Sequence, residues 1–504
     1  MLRFILRQTC ATVLIFLNVK REEFNVKRVL ALMIGVCLIS GIVCSCTKPK
    51  EVSKDEAVTL TWYIPGAKPK DCDKVEEKIN NIITDKIGAK LDFVYLDSGA
   101  YDEKMNMMMA SKTEFDLCFS GWTNKYQRGV SLDGFLKIND YIDKSEALKK
   151  AIPEYAWKAV TTSDGGIYAV PNLQIYAMWQ GIFVTKKYAD KYNLNVNEIK
   201  KIEDLEPFLQ QIHDNEPDVY GFTPTIYPWV GVDSTVVLSG NGEMRINNFD
   251  DKSKIYKAYE TPEYEQGIRT LRSFYKKGFI RQDIASAAND TSSSKQTVVT
   301  IGAYKPGVEA DTALTDRGEC VVIPLGTPCV SNEMALQTLT AVSSTSRNPE
   351  KAVKLLELVN TDKEVFRLIV HGIEDEHYEL LEDGHIRILN KDGYNFHTSG
   401  WYFGNQFNSY VVEGKEIDIW DKMAELNNSA IKSNTLGFTF DTTNVTNEVA
   451  NISAVISEFS GLSNGSVDID SSYSAYKKKL KEAGIDKVIK EAQKQVNEFI
   501  KNKK

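Results

Sequence analysis

Three stretches carry residue types and spacings that catalysis or metal binding could use. "GLSNG" (Gly461–Gly465) has the G-x-S-x-G spacing of a serine nucleophile. That chemistry needs a strained strand-to-helix elbow and a histidine within reach of the serine. Here the motif sits in a polar loop after a helical stretch with no strand leading in, so it reads as a chance match. "HGIEDEHYELLEDGH" (His371–His385) holds three of the five histidines in the chain, but its spacing fits no zinc pattern and its acids read as a solvated surface. "NKDG" (Asn390–Gly393) is half a calcium loop without the ligands that should follow. A carboxylate pair for glycoside hydrolysis need not be close in sequence, and nothing singles one out. No catalytic residue, metal ligand or cofactor is therefore assigned.

The cysteines say more. "VLALMIGVCLISGIV" (Val29–Val43) is an uncharged run preceded by Lys27 and Arg28, too short for a membrane span and suited to the apolar region of a secretory signal. It closes on "VCSC", with Val43 and Ser45 before Cys46, a pattern that resembles a bacterial lipobox. The Cys46 thiol would take a diacylglyceryl group and become the new N-terminus, leaving residues 1–45 as the signal and 46–57 as a lipidated tether. More than one acyl chain makes such anchoring stable. The stretch before Lys27 fits badly, and a start at Val26 would give an ordinary signal. Sparse cysteine with a lipobox points to the outer face of a Gram-positive cytoplasmic membrane. Cys72, Cys118, Cys320 and Cys329 are too few for a disulfide framework. Cys320 and Cys329 flank a turn and could pair across it, but buried free thiols are the expectation.

A net charge of −8 offers no electrostatic footprint for nucleic acid. The elements alternate. "VTLTWYIPG" reads as a strand, "DKVEEKINNIITDKIG" as a helix stopped by Gly88, "AKLDFVYL" as a strand, "YDEKMNMMMAS" as a helix and "FDLCFSG" as a strand. Such alternation builds a parallel α/β sheet, whose ligands sit beyond the carboxyl ends of the strands. Tyr63 and "SGWTNKY" (Ser120–Tyr126) then lie on the binding rim. "PEKAVKLLELVN" (Pro349–Asn360) is a helix opened by proline, and Ser471–Lys501 keeps helical register.

The order of segments, from the lipobox through "FDLCFSGW", "GGIYAVPN", "IFVTKKYADKY" and "AVSSTSRNPEKAVKLLELV", resembles the family 1 extracellular solute-binding proteins, the lipoproteins that feed ABC importers. "GWYFGNQF", "GFTFDTTNVTNEVANISAV" and the stretch after Ser466 resemble a LipO-like C-terminal domain of unknown function, at about residues 400–504. The resemblance implies a two-lobed α/β periplasmic-binding-protein-like fold of class II type, with hinge segments between lobes and a helical C-terminal portion. It places lobe one at 58–165 plus 298–345 and lobe two at 166–297 plus 346–504. Hinges would fall near Thr162–Ile167, Val298 and Val342–Ser346.

A monomer that captures a carbohydrate, in particular an oligosaccharide, and passes it to permease subunits is the implied function. A peptide or other polar solute is the first alternative and a surface glycoside hydrolase the second. Sugars present C–H faces and hydroxyl edges, so their clefts want flat aromatic platforms rimmed by amides and acids. The candidates are Tyr63, Trp122, Asn124, Asn172, Trp179, Trp229, Trp401 and Asn405, with Trp122 and Trp401 foremost. Trp62 alternates inward on its strand and is read as core.

Overall fold

The computed structural model describes residues 57–503 apart from 239–240, 287–295, 316 and 395. The expected signal, the expected tether and Cys46 lie outside the described residues, save Ala57 at the expected tether's end. Alternation in Val58–Pro65 turns Leu60, Trp62 and Ile64 inward, each with no exposed surface. Beside it in parallel runs Ala89–Leu96, from Val58 against Ala89 to Pro65 against Leu96. Helix Cys72–Ile87 covers the pair with Val75, Ile79 and Ile83, and ends where Gly88 takes a left-handed conformation (φ 61°). The full sheet runs Ala89–Leu96, Val58–Pro65, Leu117–Gly121, Thr338–Val342, Ala169–Pro171, the last two added antiparallel to their neighbours.

A second sheet runs Cys320–Leu325, Trp179–Thr185, Thr297–Tyr304, Tyr220–Phe222. Its core holds Ile182, Val184, Leu209, Ile212 and Phe274, with no side chain shared with the first core. Two sheets with separate cores make the two lobes of the α/β fold. The last helices, Thr446–Glu458, Ile469–Glu482 and Ile485–Lys503, bury Ile452, Tyr476, Leu480 and Val488 against Met244, Ile246, Tyr264 and Ile268 of lobe two. The periodic stretch Ser471–Lys501 is thus two helices, broken at Gly484 (φ 93°).

The lobe allocation needs correcting. Thr297–Tyr304 pairs with Trp179–Thr185, so the strand placed in lobe one belongs to lobe two. Helix Pro349–Thr361 buries Ala352, Leu355 and Leu356 among Leu60 and Trp62, so the chain beyond 346 returns to lobe one rather than leaving it. Thr162–Ile167 is no hinge: Thr161 bridges Ile167 and Thr162 N–H donates to the Gly166 carbonyl at 2.9 Å, closing a turn within lobe one. The core changes hands elsewhere, between Met178 and Ile182, between Leu325 and Val330, and between Leu436 and Phe438. Local pattern reveals strands and turns; which sheet a strand joins is decided by long-range pairing that no short window contains.

Candidate functional site

The strand Leu117–Gly121 ends at a close approach. A Cβ on Gly121 would lie 1.9 Å from the Gln337 carbonyl oxygen, so only glycine fits there. The next residue, Trp122, donates its N–H to that same carbonyl at 2.9 Å and leaves its ring 38% exposed, against Phe119 at 6.1 Å between centroids. Trp401 and Tyr402 stack at 3.9 Å and both turn onto Phe119, at 6.2 and 5.0 Å. Trp122, Trp401 and Tyr402 therefore meet around one buried ring, at the carboxyl end of a lobe-one strand. Tyr63 packs edge-on against Phe115 at 5.7 Å, half-buried in the same aromatic cluster.

Four further candidates make structural hydrogen bonds. Asn172 is buried and holds the shelf from behind: its amide donates to the carbonyls of Trp401 (3.1 Å) and Tyr402 (2.8 Å), and its oxygen accepts from Thr340 (3.0 Å). Asn124 has no exposed surface; its amide donates to the Phe119 carbonyl at 2.9 Å and its backbone N–H to Asp102 at 2.9 Å, so it shapes the turn after Trp122. Asn405 caps a short turn by accepting from Phe407 N–H and reaches the Asn360 carbonyl. Trp229 donates its indole N–H to Glu203 at 3.0 Å and packs on the lobe-two core. All four expected rim residues thus make structural bonds, Asn172 and Asn124 from buried positions and Asn405 and Trp229 from half-buried ones. Trp179 sits where the chain enters lobe two, 4.8 Å from the ring of Tyr304.

Charged residues at the lobe junction were not singled out by sequence. Lys125 donates to the Trp122 carbonyl at 2.6 Å, and burial pulls its ammonium pKa down, against Asp102 and Glu333. Glu333 accepts from the Val236 N–H of lobe two at 3.5 Å and acts on Tyr227, whose hydroxyl burial pushes up to about 12 while Arg245 lies 5.6 Å over its ring. Arg245 is buried and committed, donating to Ser234 Oγ at 2.6 Å and to the Ser234 carbonyl at 2.9 Å. The exposed Trp122, with the half-buried Trp401 and Tyr402 near it, thus lies beside hydroxyl, lysine and carboxylate groups that reach towards the other lobe. Such a set suits a ligand with flat apolar faces and hydroxyl edges. Two open depressions, one at Lys254, Ile255 and Gln493 and one at Tyr192, Pro207 and Gln211, share no residue with this junction.

Asp71, Glu376 and His377 bring three metal-ligating groups within 4.8 Å. Their bonds argue against an ion. His377 Nδ1 accepts the Ile373 N–H at 2.9 Å, so its proton sits on Nε2, facing Asp71 at 3.3 Å. Glu376 is engaged by Lys74 at 2.5 Å. Ser463 of the G-x-S-x-G stretch lies in a helical turn that follows helix Thr446–Glu458 and donates to the Ser460 carbonyl at 2.9 Å. Cys72, Cys118, Cys320 and Cys329 are free and buried.

A family described as a domain of unknown function, DUF3502, matches residues 434–501. A Streptococcus pneumoniae protein named carbohydrate ABC transporter substrate-binding protein is 30% identical over 502 residues, covering 97% of this chain and 100% of its own. The crystal structure of the N-glycan transport solute-binding protein NgtS from S. pneumoniae superimposes with a TM-score of 0.79 at 28% identity, over 89% of this chain and 100% of that one. NgtS in complex with Man5GlcNAc gives a TM-score of 0.76 over 89% and 99%. The alginate-binding protein AlgQ2, at 15% identity and a TM-score of 0.59, over 88% of this chain and 99% of that one, shares the fold.

Proposed function

The chain belongs to the carbohydrate ABC transporter substrate-binding proteins, and from that premise we propose that it binds an oligosaccharide between its lobes and hands it to the importer's permease subunits. The observation that carries the reading is the aromatic shelf of Trp122, Trp401 and Tyr402 beside the polar junction of Lys125, Glu333, Gln180 and Tyr227. Stacking on the shelf supplies contact with sugar C–H faces, and the junction supplies partners for hydroxyls on both sides. Contact with both lobes favours the closed arrangement. N-glycan fragments of the Man–GlcNAc type, which NgtS binds, are the first ligands to try.

The protein works by binding and release, with no bond chemistry and as a monomer. It acts outside the cell, tethered by a lipid on Cys46, and no helix among the described residues is long and apolar enough to cross a membrane.

Calorimetry and thermal melting against a panel of mannose–GlcNAc fragments, other oligosaccharides and short peptides test the reading. A ligand at a hundred times its Kd adds about 2.7 kcal/mol, readily seen as a raised Tm. Binding to peptides with silence across the sugars would discard the carbohydrate. Turnover of a glycoside would discard the binding-only role.

A further inference from the structure

Resting on that reading, we infer that the C-terminal segment 434–501 holds the lobe-two wall of the ligand junction in place, acting through Glu243 and Arg245 on Tyr227. The segment shares one core with that wall. Tyr473, Tyr476, Leu480 and Val488 pack among Met244 and Ile246 of strand Asn241–Asn247 and Tyr264 and Ile268 of helix Pro262–Lys276. Removing it would uncover this whole face, so the strand has no position of its own without it.

A polar path continues from that core towards the junction. Tyr476 packs in the core beside Met244 and acts on the neighbouring Glu243 carboxyl, which is buried at the start of the strand. Two residues on, Arg245 pairs opposite Val236 and ties down Ser234 and Gly231, at 2.9 and 3.5 Å from their carbonyls. Its guanidinium lies 5.6 Å over the Tyr227 ring, and the Glu333 charge acts on the Tyr227 hydroxyl at the junction. Tyr476, Glu243 and Arg245 are buried, which leaves them few alternative positions, so a displacement at Tyr476 is passed towards the half-buried Tyr227. Glu243, Arg245 and Tyr476 are positioning residues; Tyr227 is the group offered to ligand.

Glu243 also gives the path a titratable member. The groups acting on it are Tyr476, Tyr473, Tyr264 and Tyr259 from the elements around it and Arg245 on its own strand. Burial raises its carboxyl to about 7, so its charge changes near neutral pH.

The test compares wild type, Tyr476→Phe and Glu243→Gln, two replacements that keep shape, so that a variant that fails to fold leaves the other. Hydrogen exchange at residues 227–238 without ligand, and Kd for a Man–GlcNAc fragment from pH 6 to 8, are both measured. Exchange at 227–238 should quicken in both variants. Affinity should weaken roughly 2- to 30-fold, and the pH dependence of wild-type affinity should flatten in Glu243→Gln. Unchanged exchange at 227–238 in the variants overturns the coupling, whatever their Tm. Faster exchange with a wild-type Kd and pH profile overturns the link to ligand. A wild type that binds no sugar overturns the carbohydrate reading, and the exchange data alone then decide whether the segment holds this wall.

Discussion

The Asn172 amide nitrogen lies 2.8 Å from the carbonyl oxygen of Tyr402 and 3.1 Å from that of Trp401, although the residues are more than two hundred apart in sequence. Its oxygen accepts from Thr340 and its own carbonyl from Tyr176, so a buried side chain on one segment fixes the backbone of the aromatic shelf on another. Asn172→Ala would orphan two carbonyls and the Thr340 hydroxyl, at a cost of about 1–3 kcal/mol for each group that finds no new partner. Asn172→Asp should cost more, since it sets a carboxylate against two carbonyl oxygens. Urea denaturation of both variants checks the order, and equal losses would mean that the loop is held by packing alone.

The shelf itself can be tested residue by residue. Trp122→Ala and Trp401→Ala each remove a ring worth about 0.5–1.5 kcal/mol of face contact, a rise in Kd of roughly 2- to 13-fold. Trp229→Ala, whose indole serves Glu203, should lower stability while leaving Kd near wild type. Calorimetry on the three decides it: a Trp229 effect on Kd larger than the Trp122 effect would move the site to lobe two.

What sequence could reveal here divides by range. Helix Pro349–Thr361 follows from pattern and a leading proline and forms as read, but it packs in lobe one, and strand Thr297–Tyr304 pairs in lobe two, the reverse of the expected allocation. Trp122 was readable because a Ser-Gly before it marks a strand end. Asn172 and Asn124 were named as rim residues because amides beside aromatics suit sugars; the same amides also satisfy backbone carbonyls, and sequence alone cannot separate the two uses. Lys125 falls within the rim stretch Ser120–Tyr126 without standing out in it, and Glu333 and Gln180 give no signal. They come together only because the two lobes meet, and a lone charge in a loop looks like any solvated surface residue.

The buried histidine pair gives the protein an acid limit. His371 and His397 face each other through their Nδ1 atoms at 3.2 Å, and His371 Nε2 is 2.7 Å from Ser409. Burial drives His371 well below the ordinary imidazole range and His397 down to about 4. The unfolded chain takes protons near pH 6.5 while the folded one refuses them, so stability is full above 6.5 and falls as pH drops through that window. The slope should reach about 1.4 kcal/mol per pH unit for each histidine still neutral in the fold. Denaturation midpoints from pH 7 to 4.5 measure it, and His397→Phe should flatten part of the curve; a flat wild-type profile would show that the pair is solvated.

The lobes also touch away from the chain crossings, through Lys415 and Asp311. Lys415 comes from the loop after Val411–Val412, which packs on lobe one, and Asp311 from helix Val308–Ala313 behind the lobe-two sheet. Lys415 is 3% exposed and pairs with Asp311, which Lys305 approaches at 3.0 Å. Two cations around one carboxylate hold its pKa below the usual range despite burial, while burial lowers that of Lys415. Asp311→Asn would leave Lys415 without a counter-charge, and breaking a buried pair from one side costs about 3–5 kcal/mol. Lys415→Met should cost much less, because Asp311 keeps Lys305 and the methionine stem fills the same space beside Trp420. Melting temperatures of the two variants separate the cases. Equal losses would mean that the contact is shape alone, and a larger loss for Lys415→Met would make the lysine, rather than the carboxylate, the member the interface is built around.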